Sequence, residues 1–462
     1  MSIEADFARL ARGNARRRTG FDLAARRQVL RLLSAAIRRR EADIIAALAD
    51  DLGKPEAETR LTEILPVQAE IRHALRHLKR WMRPCRVRPT LAMLGTSARI
   101  RMEPRGTVLI IAPWNYPFGL ALGPLVSALA AGNAAVVKPS EMAPATSALV
   151  ARILADLPGE LVAAAEGGAE TATALLELPF DHIFFTGSPE VGRVVMAAAA
   201  RTLASVTLEL GGKSPALVGP GADLARAARM IAYGKFANAG QTCVAPDHVY
   251  VPRVQMGPFL TALRARIRAM YGAEPKASAS FGRIVNARHF ARLTGLVDAA
   301  RASGAEAEGA SSDAEARYLA PTLLTGTTPA MEVSRQEIFG PVLPLIPYDS
   351  LDEVLARIET GPKPLAFYLF ERDPGTIARL TAAVSAGAVG VNVTLAHYLH
   401  LNLPFGGIGQ SGIGAAHGQW GFRAFSHEKP VLRDRFSLLP LLMPPYEGLS
   451  GRLARLVQRL LG

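Results

Sequence analysis

The residue with the most chemical potential is Cys243, in Gly240-Gln241-Thr242-Cys243-Val244-Ala245-Pro246-Asp247. It follows a predicted helix that ends near Asn238-Ala239-Gly240, and a tight glycine turn there can project a thiol into a cleft. A cysteine is by default a small buried hydrophobe; it becomes a nucleophile where its pKa is depressed or a base adjoins it. Glu209, in Leu208-Glu209-Leu210-Gly211-Gly212-Lys213, interrupts an apolar strand. A carboxylate there is costly unless paired, solvated or functional. It is either the ion-pair partner of Lys213 or a general base whose pKa its apolar site raises. Cys85, among arginines and prolines, has no such context and is structural or incidental.

Other stretches are loops that could hold a ligand. Gly187-Ser188-Pro189-Glu190-Val191-Gly192 follows a predicted strand and opens a helix, where backbone amides and the helix dipole can hold a pyrophosphate. Lys138-Pro139-Ser140-Glu141 ends an earlier strand and either reaches the same cleft or forms a surface turn. Pro113-Trp114-Asn115-Tyr116-Pro117 is stiffened by two prolines and offers the Asn115 amide as a donor, or is simply a turn. Glu337-Ile338-Phe339-Gly340-Pro341 and Pro404-Phe405-Gly406-Gly407 are further stiff loops. The nine histidines form no ligand set, so no metal site is expected.

These loops need a scaffold. Between Arg105 and Leu210 short apolar runs alternate with helical stretches: strands at 108–112, 134–138, 161–165, 182–186 and 205–210, helices at 119–131, 146–157, 171–176 and 189–200. Such alternation predicts an α/β fold with a doubly wound parallel sheet, which binds ligands at the carboxyl ends of its strands. After Gly211-Gly212 the alternation resumes as a second α/β unit. Ahead of both, one helix is expected from Leu23 to Leu48 and another from Glu63 to Trp81, with a break over 83–89. Residues 302–316 read as a surface loop. The tail places Leu453, Leu456, Val457, Leu460 and Leu461 on one helical face and Arg452, Arg455 and Arg459 on the other, whereas the proline-interrupted stretch Leu438–Pro445 cannot be one helix.

With 462 residues, 49% hydrophobic and 20% charged, the chain is long enough for two or three domains with large cores. The net charge of +13 comes mostly from arginines spread over helices, so solvated helix faces are expected rather than a nucleic-acid site. Two cysteines allow no disulfide framework and suit a reducing, cytoplasmic location. The start, MSIEADFARLARG, carries no secretory signal, and no run of residues is apolar enough to span a membrane.

Taken together and in this order, the motifs resemble the aldehyde dehydrogenase superfamily from about Leu23 to Pro430. GQTCVAPD and NLPFGGIGQSGIG are similar to the class 3-type branch, which includes coniferyl aldehyde and fatty aldehyde dehydrogenases. FDHIFFTGS, IPYDSLDE and KPLAFYLF look closest to its bacterial coniferyl aldehyde members. The resemblance implies NAD(P)-dependent oxidation of an aldehyde, aromatic or long-chain, through a thioester on Cys243. Glu209 would be the general base and Asn115 the oxyanion-hole amide. Relatives that pass the acyl group to coenzyme A lack this glutamate, so hydrolysis to the free acid is implied.

The cofactor would be held by Gly187, Ser188 and Gly192, by Lys138 and Glu141 at the adenosine ribose, by Glu337 beside Phe339 at the nicotinamide ribose, and by Trp114. Glu141 favours NAD over NADP. Tyr116, Tyr233 and Phe405, with Phe236 nearby, either line an aromatic or long-chain aldehyde site or are ordinary core aromatics. Residues 1–79 and 100–208 would form the NAD(P)-binding domain, 209–395 the catalytic domain, and 80–99 with 396–436 a small β element that bridges a homodimer. The basic tail, 437–462, would lie on a membrane surface or dock on the protein or its partner subunit. The alternative of another class is a non-catalytic binding or structural protein that kept the fold.

Overall fold

The computed structural model describes residues 2–90, 93–437 and 439–461. Two α/β units carry the fold. In the first, a six-stranded sheet runs in the order Gly412–Ile413, Ser205–Leu210, His182–Gly187, Thr107–Ile111, Ala134–Lys138, Val162–Ala164. All neighbours are parallel except Gly412–Ile413. Thr107–Ile111 and Ala134–Lys138 are buried along their whole length, as parallel strands covered by helices on both faces must be. The chain winds outward from Thr107–Ile111 in one direction, then returns to its other side at His182–Gly187. The carboxyl ends of these two strands therefore flank the crevice where such sheets take ligands.

The second unit is a seven-stranded sheet: Glu306–Glu308, Thr322–Thr325, Val342–Tyr348, His248–Pro252, Pro215–Val218, Ala366–Phe370, Ala388–Val391. Only its first strand runs antiparallel. A third, antiparallel sheet joins Cys85–Val87, Thr96–Pro104 and Ser426–Asp434. Each face of the two large sheets has its own apolar core.

Several local expectations are corrected. The helix expected over Leu23–Leu48 is two, Leu23–Arg39 and Glu41–Leu52, because the chain leaves helical geometry at Arg40 (φ −109°, ψ 22°). Arg39 and Arg40 there meet the carboxylate of Asp156. Gly53, in the left-handed region at φ +58°, ends the second helix as expected. The helix Leu65–Trp81 is preceded by a π-helical turn, Arg60–Ile64. The stretch 83–89 holds a short strand, and 302–316 holds two, Glu306–Glu308 and Ser312–Asp313. They are short edge strands, so their polar composition hid them.

The tail forms a short 3-10 turn, Leu439–Leu442, and a helix, Leu449–Leu461. Leu449 and Leu456 are more than half exposed, while Leu453 and Val457 are half-buried. Leu438, at the head of the proline-interrupted stretch, lies outside the described residues, as do the side chains of Leu460 and Leu461. Among the described residues no helix is long and apolar enough to cross a membrane.

Candidate active site

Cys243 owes its position to a strained turn. The helix Leu224–Phe236 ends, and Asn238, Ala239 and Gly240 follow at φ 52°, 51° and 75°, all left-handed. For Ala239 that costs about 1–2 kcal/mol. Gly240 is obligatory, since a Cβ there would meet the carbonyl of Gly340 at 2.3 Å. The turn is held from several directions. Gln241 donates to the carbonyl of Arg283 at 2.9 Å and accepts from the Val285 amide at 3.0 Å. The Asn238 amide N–H donates to Glu58 at 2.8 Å. Cys243 emerges half-buried.

Asn115 is buried beside this turn. Its side-chain amide donates to the Gln241 carbonyl at 3.0 Å, and its own carbonyl accepts from Asn238 at 2.8 Å and from the Lys54 ammonium at 3.3 Å. Lys54 is fully buried, pairs with Glu63 at 2.5 Å and stands 4.1 Å from the centre of the Tyr116 ring. The other Glu63 oxygen accepts from the Gly119 amide at 2.7 Å. A buried ion pair thus braces the strand end Pro113–Pro117, while Tyr116 and Thr242 share a hydroxyl–hydroxyl bond of 2.8 Å.

Glu209 is 4% exposed, and neither carboxylate oxygen has a hydrogen-bond partner among the described residues. Burial alone pushes its pKa well above the usual carboxylate range. The ion pair with Lys213 does not form. Lys213 turns instead to Asp247 at 2.5 Å and to the carbonyls of Gln336 and Val333 at 2.7 and 3.0 Å. Gly412 pairs with Glu209 across the edge of the sheet.

Two cavities meet at Glu209 and Cys243, which line both, together with Leu120, Thr186 and Leu210. One, of about 250 Å³, is predominantly apolar and is walled by Tyr116, Tyr398 and Phe405 among others. The second is a wider, more polar cleft of about 680 Å³ along the carboxyl ends of the first sheet. The Cys243 thiol at their junction is not acidic. Burial, then the charges of Glu337 and Glu209, push it up to about 12. Of the two routes to a nucleophile, a depressed pKa or an adjoining base, this favours the base.

The polar cleft suits a dinucleotide. Ser188 caps the helix Pro189–Thr202, whose amino end opens on the cleft. A Cβ at Gly187 would strike the Phe185 ring at 2.4 Å, and one at Gly192 would strike Leu210 at 2.7 Å, so both glycines let backbone approach closely. Glu337 accepts from the Gly212 amide at 2.9 Å and is pushed up to about 8, chiefly by burial. Gly211 makes room for it, since a Cβ there would lie 2.1 Å from a Glu337 oxygen. Trp114 stands 5.3 Å from Phe339, edge to face, and both line the cleft. The Thr186 hydroxyl is buried without a partner where the cavities join.

Of the residues singled out in the sequence, Cys243, Glu209, Asn115, Trp114, Gly187, Ser188, Glu337 and Phe339 share this cleft. Tyr116, Tyr233 and Phe405 line the apolar cavity, with Tyr233 at 44% exposure. Gly192 lies one turn into the helix. Lys138 and Glu141 pair with each other at 3.0 Å and do not line the cleft. Phe236 packs in the core, 1% exposed, and is not part of the site. Lys54, Glu58 and Glu63 were missed. Lys54 reads as part of a helix stop, and nothing in the sequence pairs it with Glu63. No group of three or more metal-ligating side chains occurs among the described residues.

The chain matches the family model described as "Aldehyde dehydrogenase family" over residues 6–431. It belongs to the aldehyde dehydrogenase family. It is 43% identical to the 4,4'-diaponeurosporen-aldehyde dehydrogenase of Staphylococcus aureus over 92% of this chain and 93% of that protein. It is also 43% identical to aldehyde dehydrogenase family 3 member H1 of Arabidopsis thaliana, over 90% of this chain and 86% of that one. The solved substrate-bound state of Staphylococcus aureus AldH superposes with a TM-score of 0.94 at 41% identity, covering 99% of both chains. A Mycobacterium tuberculosis aldehyde dehydrogenase complexed with NAD+ superposes with a TM-score of 0.84 at 26% identity, over 94% of this chain and 90% of that one. The chain is thus an NAD(P)-dependent aldehyde dehydrogenase with class 3-type homologues. Its mixed α/β fold with parallel sheets is the one expected, and the non-catalytic alternative is set aside.

Proposed function

We propose that this aldehyde dehydrogenase oxidises an apolar aldehyde, aromatic or long-chain, to the carboxylic acid, with Cys243 as nucleophile and Glu209 as base. The observation that carries this is the shared wall. The thiol and an unpartnered buried carboxylate stand where an apolar cavity opens into a polar cleft.

The thiol at rest holds its proton, so the proton leaves to Glu209 as sulfur attacks the aldehyde carbon. The oxygen that gains charge is met by the Asn115 amide and the Cys243 backbone N–H, each such donor being worth roughly 3 kcal/mol in other enzymes. When bound, NAD(P) supplies the hydride acceptor that turns the adduct on Cys243 into a thioester. Glu209 gives the thiol's proton up to solvent and then takes one from water as the water oxygen adds to the thioester carbon; the carbon–sulfur bond breaks and the Cys243 sulfur takes the proton back from Glu209. Aldehyde, oxidised cofactor and water become acid, reduced cofactor and a proton.

Gly187, Ser188 and Gly192 would receive the pyrophosphate, Glu337 and Phe339 the nicotinamide end, and Lys138 and Glu141, which pair with each other outside that cleft, an adenosine ribose that reaches past it, where Glu141 favours NAD over NADP. Residues 1–79 with 100–208 serve as the cofactor domain and 209–395 as the catalytic domain. Residues 80–99 and 396–436 bridge a homodimer; the sheet they contribute to also takes in residues 100–104 of its central strand, Thr96–Pro104. In the tail, Arg452, Arg455 and Arg459 beside exposed Leu449 and Leu456 suit the surface of an anionic membrane.

An aldehyde panel read by absorbance of the reduced cofactor tests the reading. Reduction with apolar aldehydes of either type supports it; none with any aldehyde overturns it.

A further inference from the structure

The apolar cavity continues past the reaction centre, and its far end is polar. Leu120, in the shared wall, and Ser127 both line it from the helix Gly119–Ala131. They are about two turns apart, so this wall of the cavity is roughly 10 Å long. Gly421 lies against Ser127, where a Cβ would come within 2.3 Å of its hydroxyl. Beside it stand Glu70 and His417, which also line the cavity.

Glu70 is 4% exposed. One of its oxygens accepts from the Gly418 amide at 2.7 Å. The other is buried without a hydrogen-bond partner, and His417 Nδ1 stands 3.8 Å away, beyond hydrogen-bond reach. His417 is held edge-on against Tyr398 at 4.7 Å and Phe405 at 5.4 Å between ring centres. A buried carboxylate oxygen without a donor is costly, and the walls between it and Cys243 are largely apolar. A substrate bearing a hydroxyl at its far end would supply the missing donor, and one ending in a methyl group or a bare ring would not.

We propose that Glu70, set beside His417, is a specificity-determining residue that accepts a hydrogen bond from a hydroxyl at the distal end of the substrate, so that the preferred aldehydes carry such a hydroxyl. The inference rests on the reading of Cys243 as the nucleophile. A hydrogen bond to a buried charged acceptor corresponds to a roughly ten- to hundredfold effect.

The test compares a para-hydroxyphenyl propanal with its deoxy analogue in the full chain and in E70Q, which keeps an acceptor for the Gly418 amide. The wild type should favour the hydroxylated aldehyde by about ten- to hundredfold in kcat/KM, mostly through KM, and E70Q should bring the ratio within about threefold of one. Calorimetric binding of the two corresponding alcohols reads the same contact without chemistry and should show the same preference and the same loss. Equal handling of the pair by the wild type, or a preference that survives in E70Q, overturns the inference and leaves aldehyde oxidation intact. If neither aldehyde is oxidised but the hydroxylated alcohol binds more tightly in the wild type alone, the distal site stands and the catalytic reading falls.

Discussion

The side-chain amide of Asn115 donates to the carbonyl of Gln241, two residues ahead of Cys243. One amide N–H is spent on orientation and the other is left for a ligand. With Asn238 and Lys54 holding the Asn115 carbonyl, the donor is fixed before any substrate arrives. Asn115→Ala should therefore lower kcat by about a hundred- to a thousandfold, measured under saturating aldehyde, with cofactor binding intact.

Cys243→Ala removes the thiol at the junction of the two cavities. Turnover should vanish while the variant still binds NAD, read by calorimetry. Cofactor reduction by the pure variant would remove Cys243 from the mechanism.

Glu209→Gln removes the base that both half-reactions use. In a stopped-flow trace the burst of reduced cofactor should slow together with steady-state turnover, and a burst as fast as the wild type's would show that Glu209 serves hydrolysis alone. The same substitution should stabilise the fold. Burial raises the Glu209 pKa, so its contribution is favourable when protonated and is lost as pH rises through that raised value. At pH 8 and above the glutamine variant should melt at a higher temperature, by an amount equivalent to ~1–3 kcal/mol. The difference should shrink as pH falls toward the ordinary glutamate range. Wild-type activity should run the other way, rising with pH as Glu209 loses its proton and becomes able to act as base.

Lys54→Met leaves the fully buried Glu63 carboxyl without its cation, with the Gly119 amide still donating to it. Stability should drop by about 3–5 kcal/mol, and pairing the change with Glu63→Leu should recover much of it. Thermal melting of the single and double variants checks this. A single variant as stable as the wild type would show that the pair does not brace the site.

Cys243 and Glu209 were legible because each breaks a local rule: a thiol after a glycine turn, a carboxylate inside an apolar strand. The first sheet was legible because its strands are continuous apolar runs separated by helical stretches. Lys54 with Glu63 and Glu70 with His417 were not, since each meeting depends on how helices pack on Gly119–Ala131 and not on spacing along the chain. The proton affinity of Cys243 was hidden for the same reason. It comes from burial and from carboxylates at 209 and 337, which only the fold brings to the thiol.

Gly412 and Ile413 close the edge of the first sheet against Glu209 and Leu208, although about two hundred residues separate them in the chain. During synthesis the ribosome emits the nucleotide cleft, the thiol and the carboxylate long before it emits the strand that seals them. The nascent polypeptide thus carries Cys243 and Glu209 beside an unfinished sheet edge, which closes no earlier than the synthesis of Gly412 and Ile413.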